Sequence, residues 1–139
     1  MKIQYKLLYE GAVAPTKAHT TDAGYDLTAW SAATSNVSDY IEYNTGVAVN
    51  IPKGYVGLLF PRSSVTNKTM LLKNSVGVLD PGYQGAILFR YWEYGDEIYK
   101  VGDRVGQLVI LKLPEIELEE TDSFIKSERG ENGFGSTGN

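Results

Sequence analysis

The sequence contains no cysteine, so it carries neither a disulfide framework nor thiolate chemistry, a usage that suits a reducing cytoplasm. Long hydrophobic runs are also missing. "VGLLF" (56–60) and "LVILKL" (108–113) are far too short to span a bilayer. The opening "MKIQYKLLYEG" does not follow the basic, apolar, small-residue order of a secretory leader, so no membrane association is expected. Positive charge is not in excess. A formal net charge of −4 argues against a nucleic-acid surface and leaves room for one small phosphate-bearing ligand. There are no internal repeats, and no 3.6-residue periodicity long enough for an ordinary helix. The 139 residues, 42% hydrophobic and 22% charged, fit a single soluble globular domain.

What is present is a series of short alternating segments. "IQYKLL", "VAVNI", "YVGLLF", "AILFRYW", "DEIYKV" and "RVGQLVILKL" are rich in β-branched and aromatic residues and read as strands. Between them lie "NTG", "PKG", "DPG", "EYGD" and "VGD", all turn chemistry. At most one short helical turn is expected, after Ser63-Ser64, where a hydroxyl could cap "VTNK". The pattern predicts an all-β fold, a closed or two-layered antiparallel barrel, sandwich or jelly roll. Composition shifts after Pro114. We read 1–114 as the β body, the acidic 115–128 as an arm that adds a strand elsewhere, and 129–139 as a mobile Gly-rich end.

Several stretches carry chemistry. In "VGVLDPGYQGAI" (76–87) Pro81 and Gly82 set a type II turn from Asp80 to Tyr83, with "VGVL" and "YQGAIL" expected as the arms of a hairpin. Alone this is an ordinary turn opened by an Asp. The turn also holds a carboxylate and a Tyr at fixed geometry, and Gly77 and Gly85 are expected to leave the backbone open to a ligand. "PRSS" (61–64) combines Arg62 with the hydroxyls of Ser63 and Ser64, a plausible anion site, although capping plus a surface charge is the commoner reading. In "DAGYDLTAW" Asp22 is a turn former, whereas Asp26 enters a strand and needs solvent or a partner. In "GDRVGQLVI" Asp103 and Arg104 open a strand as an expected salt-bridged entrance, and the polar Gln107 is expected to face water. The final "RGENGFGSTGN" has four Gly in eleven residues, too flexible and too poor in apolar surface to pack. It lacks the Lys and the strand-to-helix setting of a P-loop, yet backbone N–H groups and hydroxyls can still close on a polyphosphate.

Taken in order, "AGYDL" (23–27), "PRSS" (61–64), "NSVGVLDPGYQG" (74–85), "GDRVGQLV" (102–109) and "RGENGFGSTG" (129–138) resemble the motifs of the homotrimeric dUTPases in order, spacing and chain length. The resemblance implies a jelly-roll-like subunit, a homotrimer with active sites at subunit interfaces, and Mg²⁺-assisted hydrolysis of dUTP to dUMP and pyrophosphate. That activity limits uracil in DNA and supplies dUMP for dTMP synthesis. It also implies the roles. Asp80 would be the general base that activates water for attack at the α-phosphorus. Tyr83 would lie against the deoxyribose and exclude a 2′-hydroxyl. Asn74, with the backbone of Gly77 and Val78, would read the uracil edge. Ser63 and Gln107 would contact the α- and β-phosphates beside Ser64, and Arg62 would sit behind them, paired with a carboxylate. Asp26 would hold Mg²⁺ through water. From the tail, Arg129, Gly135, Ser136 and Thr137 would bind the terminal phosphate while Phe134 stacks on uracil, making 129–139 a lid. Ala86, Gly82 and Gly106 depart from common family choices, and Gly106 is expected to loosen the Gln107 strand slightly. The short chain and hydroxyl-rich tail suit a phage or Gram-positive bacterial member.

Two alternatives stand beside this reading. The related dCTP deaminases need a catalytic Glu a few residues past the turn, where this chain has Arg90. A nucleotide-gated regulatory relative that binds a protein partner is compatible with the motifs, although no long inserted segment separates them here.

Overall fold

A computed structural model describes residues 1–35 and 37–138. Among the described residues there are ten strands, several of them alternating buried and exposed side chains: β1 Tyr5–Leu7, β2 Tyr25–Thr28, β3 Ser31–Thr34, β4 Ile41–Asn44, β5 Val47–Val49, β6 Tyr55–Phe60, β7 Met70–Leu72, β8 Gly77–Leu79, β9 Leu88–Glu93 and β10 Arg104–Lys112. Two four-stranded antiparallel sheets, ordered β2-β10-β6-β8 and β3-β4-β9-β7, form the body, with a two-stranded β1-β5 ribbon beside them. This is the all-β architecture expected from the strand pattern, in the jelly-roll-like form that the family resemblance implies.

Period-2 alternation explains the core. In β9, Phe89 and Tyr91 turn inward while Arg90 and Trp92 face out. In β4, Ile41 and Tyr43 do the same. These side chains meet Leu27, Leu59, Leu79, Val105 and Leu108 from the other sheet in one cluster. Each such large apolar side chain contributes about 1.5–3 kcal/mol on burial. Three buried phenols organise the centre: Tyr43, Tyr91 and Tyr99 meet edge to face with centroids 5.6–6.2 Å apart. Their polar ends are satisfied, Tyr43 donating to the Tyr99 carbonyl at 2.7 Å and Tyr91 to the Val105 carbonyl at 2.6 Å.

Four local expectations are corrected. The turn at Asp80 is present, with Gly82 at φ 86° and Tyr83 N–H donating to the Asp80 carbonyl at 3.2 Å. Its flanks, however, are not a hairpin: β8 pairs with β6 in one sheet, and the chain then crosses to β9 in the other. Strand partners are chosen by which sheet buries the apolar face, which the turn alone does not decide. "DEIYKV" is no strand, because its backbone groups find other partners: Thr69 exchanges bonds with Glu97, and the Tyr99 amide reaches the Met70 sulfur at 3.4 Å. Gly106 is buried, and a Cβ there would run into the Phe89 ring. Its missing side chain therefore seats Phe89 rather than loosening β10. The helical turn is a 3₁₀ segment, Ser63–Asn67, with Arg62 at its N-cap and no side-chain cap bond. The N-cap place is taken by Arg62, whose guanidinium can only donate, so no side chain accepts from the first N–H groups.

The last body contact by backbone is Leu113 N–H to the Gly54 carbonyl at 2.8 Å. From 114 to 138 the chain forms no strand and every residue is exposed. No helix among the described residues is long and apolar enough to cross a membrane.

Candidate active site

Two separate clefts of about 240 Å³ each flank β6. The first lies at the β8 edge and is lined by Asn74, Gly77, Val78, Asp80, Tyr83 and Ala86. Pro81 and Gly82 hold the turn, so the exposed Asp80 carboxylate projects from rigid backbone rather than from a loose loop. Tyr83 is fixed at its far end, its hydroxyl donating to the Ala86 carbonyl at 2.9 Å. The two glycines flanking the turn serve the protein itself. A Cβ on Gly85 would overlap the Tyr83 ring, and one on Gly77 would press on Leu59 at 3.0 Å and on the Asn74 amide at 3.3 Å. The space expected to be open to a ligand is thus filled by the side chains that line the cleft.

The second cleft is polar and lined by Asp22, Gly24, Asp26, Arg62, Ser63 and Gln107, with Ala18 and Ala23. Asp22 is the turn former expected, its carboxylate accepting the His19 N–H at 2.8 Å. Gln107 is held in the cleft instead of facing open water. Its amide donates to the Pro61 carbonyl at 3.0 Å, and a Cβ on Gly24 would collide with its carbonyl end. The role of Gly24 was legible only as part of "AGYDL", since a glycine's reason lies in what fills its missing side chain.

The electrostatic centre of this cleft is Asp26. One oxygen accepts from Arg62 Nε at 2.7 Å and the other from Arg104 Nη1 at 3.2 Å, and the carboxylate is only 13% exposed. The partner that a strand carboxylate needs is therefore a pair of guanidiniums, and the carboxylate expected beside Arg62 is Asp26 itself. The expected salt bridge at the strand entrance is replaced: Asp103 caps the turn by accepting the Lys100 N–H at 2.8 Å, and Arg104 reaches across to β2. Asp26 and Asp22 are the two carboxylates that line this cleft. No group of three or more His, Cys, Asp or Glu able to hold a metal occurs among the described residues. Each Asp26 oxygen keeps a lone pair beyond its guanidinium bond, which leaves it able to accept from the water shell of a hydrated ion.

The residues singled out from the sequence thus divide. Asn74, Gly77, Val78, Asp80 and Tyr83 share one cleft, and Asp26, Arg62, Ser63 and Gln107 share the other. Ser64 stands behind Arg62, accepting from Nη1 at 3.3 Å. Arg129, Phe134, Gly135, Ser136 and Thr137 are exposed and line neither cleft; Asn139, at the end of the expected lid, lies outside the described residues. Arg90, at the place a deaminase would need Glu, pairs with Glu42 at 2.8 Å on an outer sheet face.

Fold and clefts together define a jelly-roll protein with a carboxylate-bearing turn on one flank of a strand and a polar recess holding Asp22, Asp26, Arg62, Ser63 and Gln107 on the other. The chain belongs to the dUTPase family, whose family model, described as dUTPase, matches residues 10–138. A deoxyuridine 5'-triphosphate nucleotidohydrolase of Alcanivorax borkumensis is 36% identical over 148 residues, covering 99% of each chain. One from Clostridium novyi is 34% identical over 141 residues, again covering 99% of each. Among solved structures, a Staphylococcus bacteriophage 80alpha dUTPase mutant with dUpNHpp superposes with a TM-score of 0.84 at 31% identity, covering 99% of this chain and 98% of that one. A mutant dUTPase from phage phi11 of S. aureus, described with a structural Mg(II) ion, gives 0.76 at 28% identity, covering 91% of this chain and 100% of that one.

Proposed function

We propose that this protein hydrolyses dUTP to dUMP and pyrophosphate, with Asp80 as general base. The observation that carries the reading is the rigid Asp80–Tyr83 turn beside Asn74, in a chain that also holds the Arg62–Asp26–Arg104 cluster next to Ser63 and Gln107. The Asp80 carboxylate takes a proton from water as the water oxygen bonds to the α-phosphorus. The bond from that phosphorus to the bridging oxygen breaks, and pyrophosphate leaves with the electron pair. Such a transfer needs positioning and charge neutralisation more than covalent help.

Selection follows from fixed groups. The Tyr83 ring, tied to the Ala86 carbonyl, packs against the sugar where a 2′-hydroxyl would clash. Asn74 and the backbone of Gly77 and Val78 read the uracil edge. A buried polar group left unpaired by the wrong base discriminates strongly. Ser63 and Gln107 contact the phosphates, and Asp26 would hold a magnesium ion through water. When bound, Mg²⁺ neutralises charge on the phosphate oxygens.

A subunit holds the pieces in separate places. Gln107 pairs with Phe60 and Gly77 with Leu59, on opposite sides of β6, about 10 Å apart at two strand spacings. Ile116, Leu118, Phe124 and Ile125 expose 73–98% of their surface on the 115–128 arm, a set that association would cover. We read the active unit as the homotrimer that the family resemblance implies, in which the arm crosses to a neighbour. The 129–139 tail closes over a shared site, with Phe134 on the base and Arg129, Ser136, Thr137 and the Gly135 backbone on the terminal phosphate. The absence of cysteine suits a cytoplasmic setting.

The test is pyrophosphate release with Mg²⁺ from dUTP, against dCTP, dTTP and UTP. Release from dUTP alone is expected. Ammonia release from dCTP, or no turnover of any of the four by folded protein, contradicts the assignment.

A further inference from the structure

Arg62 is held from behind as well as from the side. Its Nη1 donates to Ser64 Oγ at 3.3 Å, and that hydroxyl lies 3.3 Å from the Tyr99 hydroxyl. Tyr99 is only 4% exposed and is locked on three counts. Its carbonyl accepts from Tyr43 at 2.7 Å, its amide donates to the Met70 sulfur at 3.4 Å, and its ring packs edge-on to Tyr43 and Tyr91. A buried, closely packed ring therefore presents its hydroxyl to Ser64, directly behind Arg62.

We propose that Tyr99 and Ser64 are positioning residues for Arg62, forming a hydroxyl relay that ties the guanidinium beside the phosphate-contacting Ser63 and Gln107 to the phenolic core. This rests on reading the Arg62 cleft as the phosphate site. Ser64 then acts on the substrate through Arg62 and not by direct contact, which separates it from its neighbour Ser63. Ser63 is exposed and lines the cleft, whereas Ser64 is half-buried and does not. The physical reason is geometric. Asp26 fixes the guanidinium at Nε only, leaving its plane free to swing about that bond. A second acceptor at Nη1 removes the swing, and Tyr99 in turn fixes the Ser64 rotamer. Holding a charged donor on a locked support is what catalytic geometry requires.

The test is a double-mutant cycle on dUTP hydrolysis with Tyr99→Phe, Ser64→Ala and the pair, alongside Ser64→Thr and Arg62→Lys. Tyr99→Phe keeps the ring, so the thermal midpoint stays near wild type. The loss of one net hydrogen bond lowers turnover by about three- to tenfold, carried mainly in kcat with KM little changed. The pair is expected to be no worse than Ser64→Ala alone, and Ser64→Thr, which restores a hydroxyl, to recover most of the rate. Wild-type rates in Tyr99→Phe, or fully multiplicative effects of the two changes, overturn the relay. If Arg62→Lys itself leaves hydrolysis intact, the phosphate reading of the cleft falls, and the relay with it. If Arg62→Lys is impaired while both relay variants are normal, only the relay falls.

Discussion

Arg62 and Asp26 lie 2.7 Å apart across the polar cleft, and Arg104 holds the second Asp26 oxygen at 3.2 Å. One carboxylate thus ties β2 to β10 and to the segment after β6. Asp26→Asn removes the counter-charge from two guanidiniums and turns an amide N–H toward one of them. With the carboxylate 13% exposed, the expected loss is about 1–3 kcal/mol. Urea unfolding reads it as a lower midpoint at unchanged slope. An unchanged midpoint would show that the cluster does not hold the cleft together.

Gly106 and Phe89 form a packing pair, since any side chain at 106 meets the Phe89 ring. Gly106→Ala is expected to destabilise by about 1–3 kcal/mol through overpacking. Phe89→Leu in the same background should recover part of that, although it is itself destabilising alone. Thermal unfolding of the four proteins checks the coupling.

These two pairs show what was legible in the sequence and what was not. The Asp80–Tyr83 turn was legible because Pro-Gly dictates its own backbone. The strands β6, β9 and β10 were legible from alternation. Partner choice was not: β8 and β9 flank one turn yet enter different sheets, because pairing is decided by which faces bury together. The seat that Gly106 provides is not legible in sequence, because its tenant, Phe89, is distant along the chain. Tyr99 lies in a stretch whose composition is that of an ordinary strand, so its place in the core is not legible from sequence. Its neighbours' backbone bonds run to Thr69 instead of to a ladder.

The buried phenols set a pH dependence. Burial pushes Tyr43 up to about 12, helped by the charges of Glu93 and Asp103, and pushes Tyr91 up further. The folded values lie above the unfolded one near 10, so this stability is full below pH 10. It is lost as pH rises through the folded values, because the unfolded chain releases protons first. The expected slope is about 1.4 kcal/mol per pH unit per phenol. Urea unfolding between pH 9 and 11.5 should show it, and Tyr43→Phe should flatten it.

Ending the chain at Glu128 removes residues whose hydrogen bonds are local, such as Arg129 Nε to the Asn132 carbonyl at 3.1 Å. The truncated protein should keep its thermal midpoint and lose most dUTP turnover. Full activity would make 129–139 a tail and not a lid.

If the turn and the tail of one active site come from different subunits, two inactive chains complement each other. Asp80→Asn protein co-expressed in equal amount with the Glu128 truncation should regain about one quarter of wild-type activity, by random assortment in a trimer. No recovery would place both elements of each site in the same chain.

The most direct measurement concerns Asp80. Asp80→Asn keeps the turn and the cleft but offers the water no base. It should bind a non-hydrolysable dUTP analogue with near-wild-type affinity while single-turnover hydrolysis falls by at least about 100-fold. Hydrolysis at near-wild-type rates in that variant would contradict the assignment of the base, and with it the central role given to the turn.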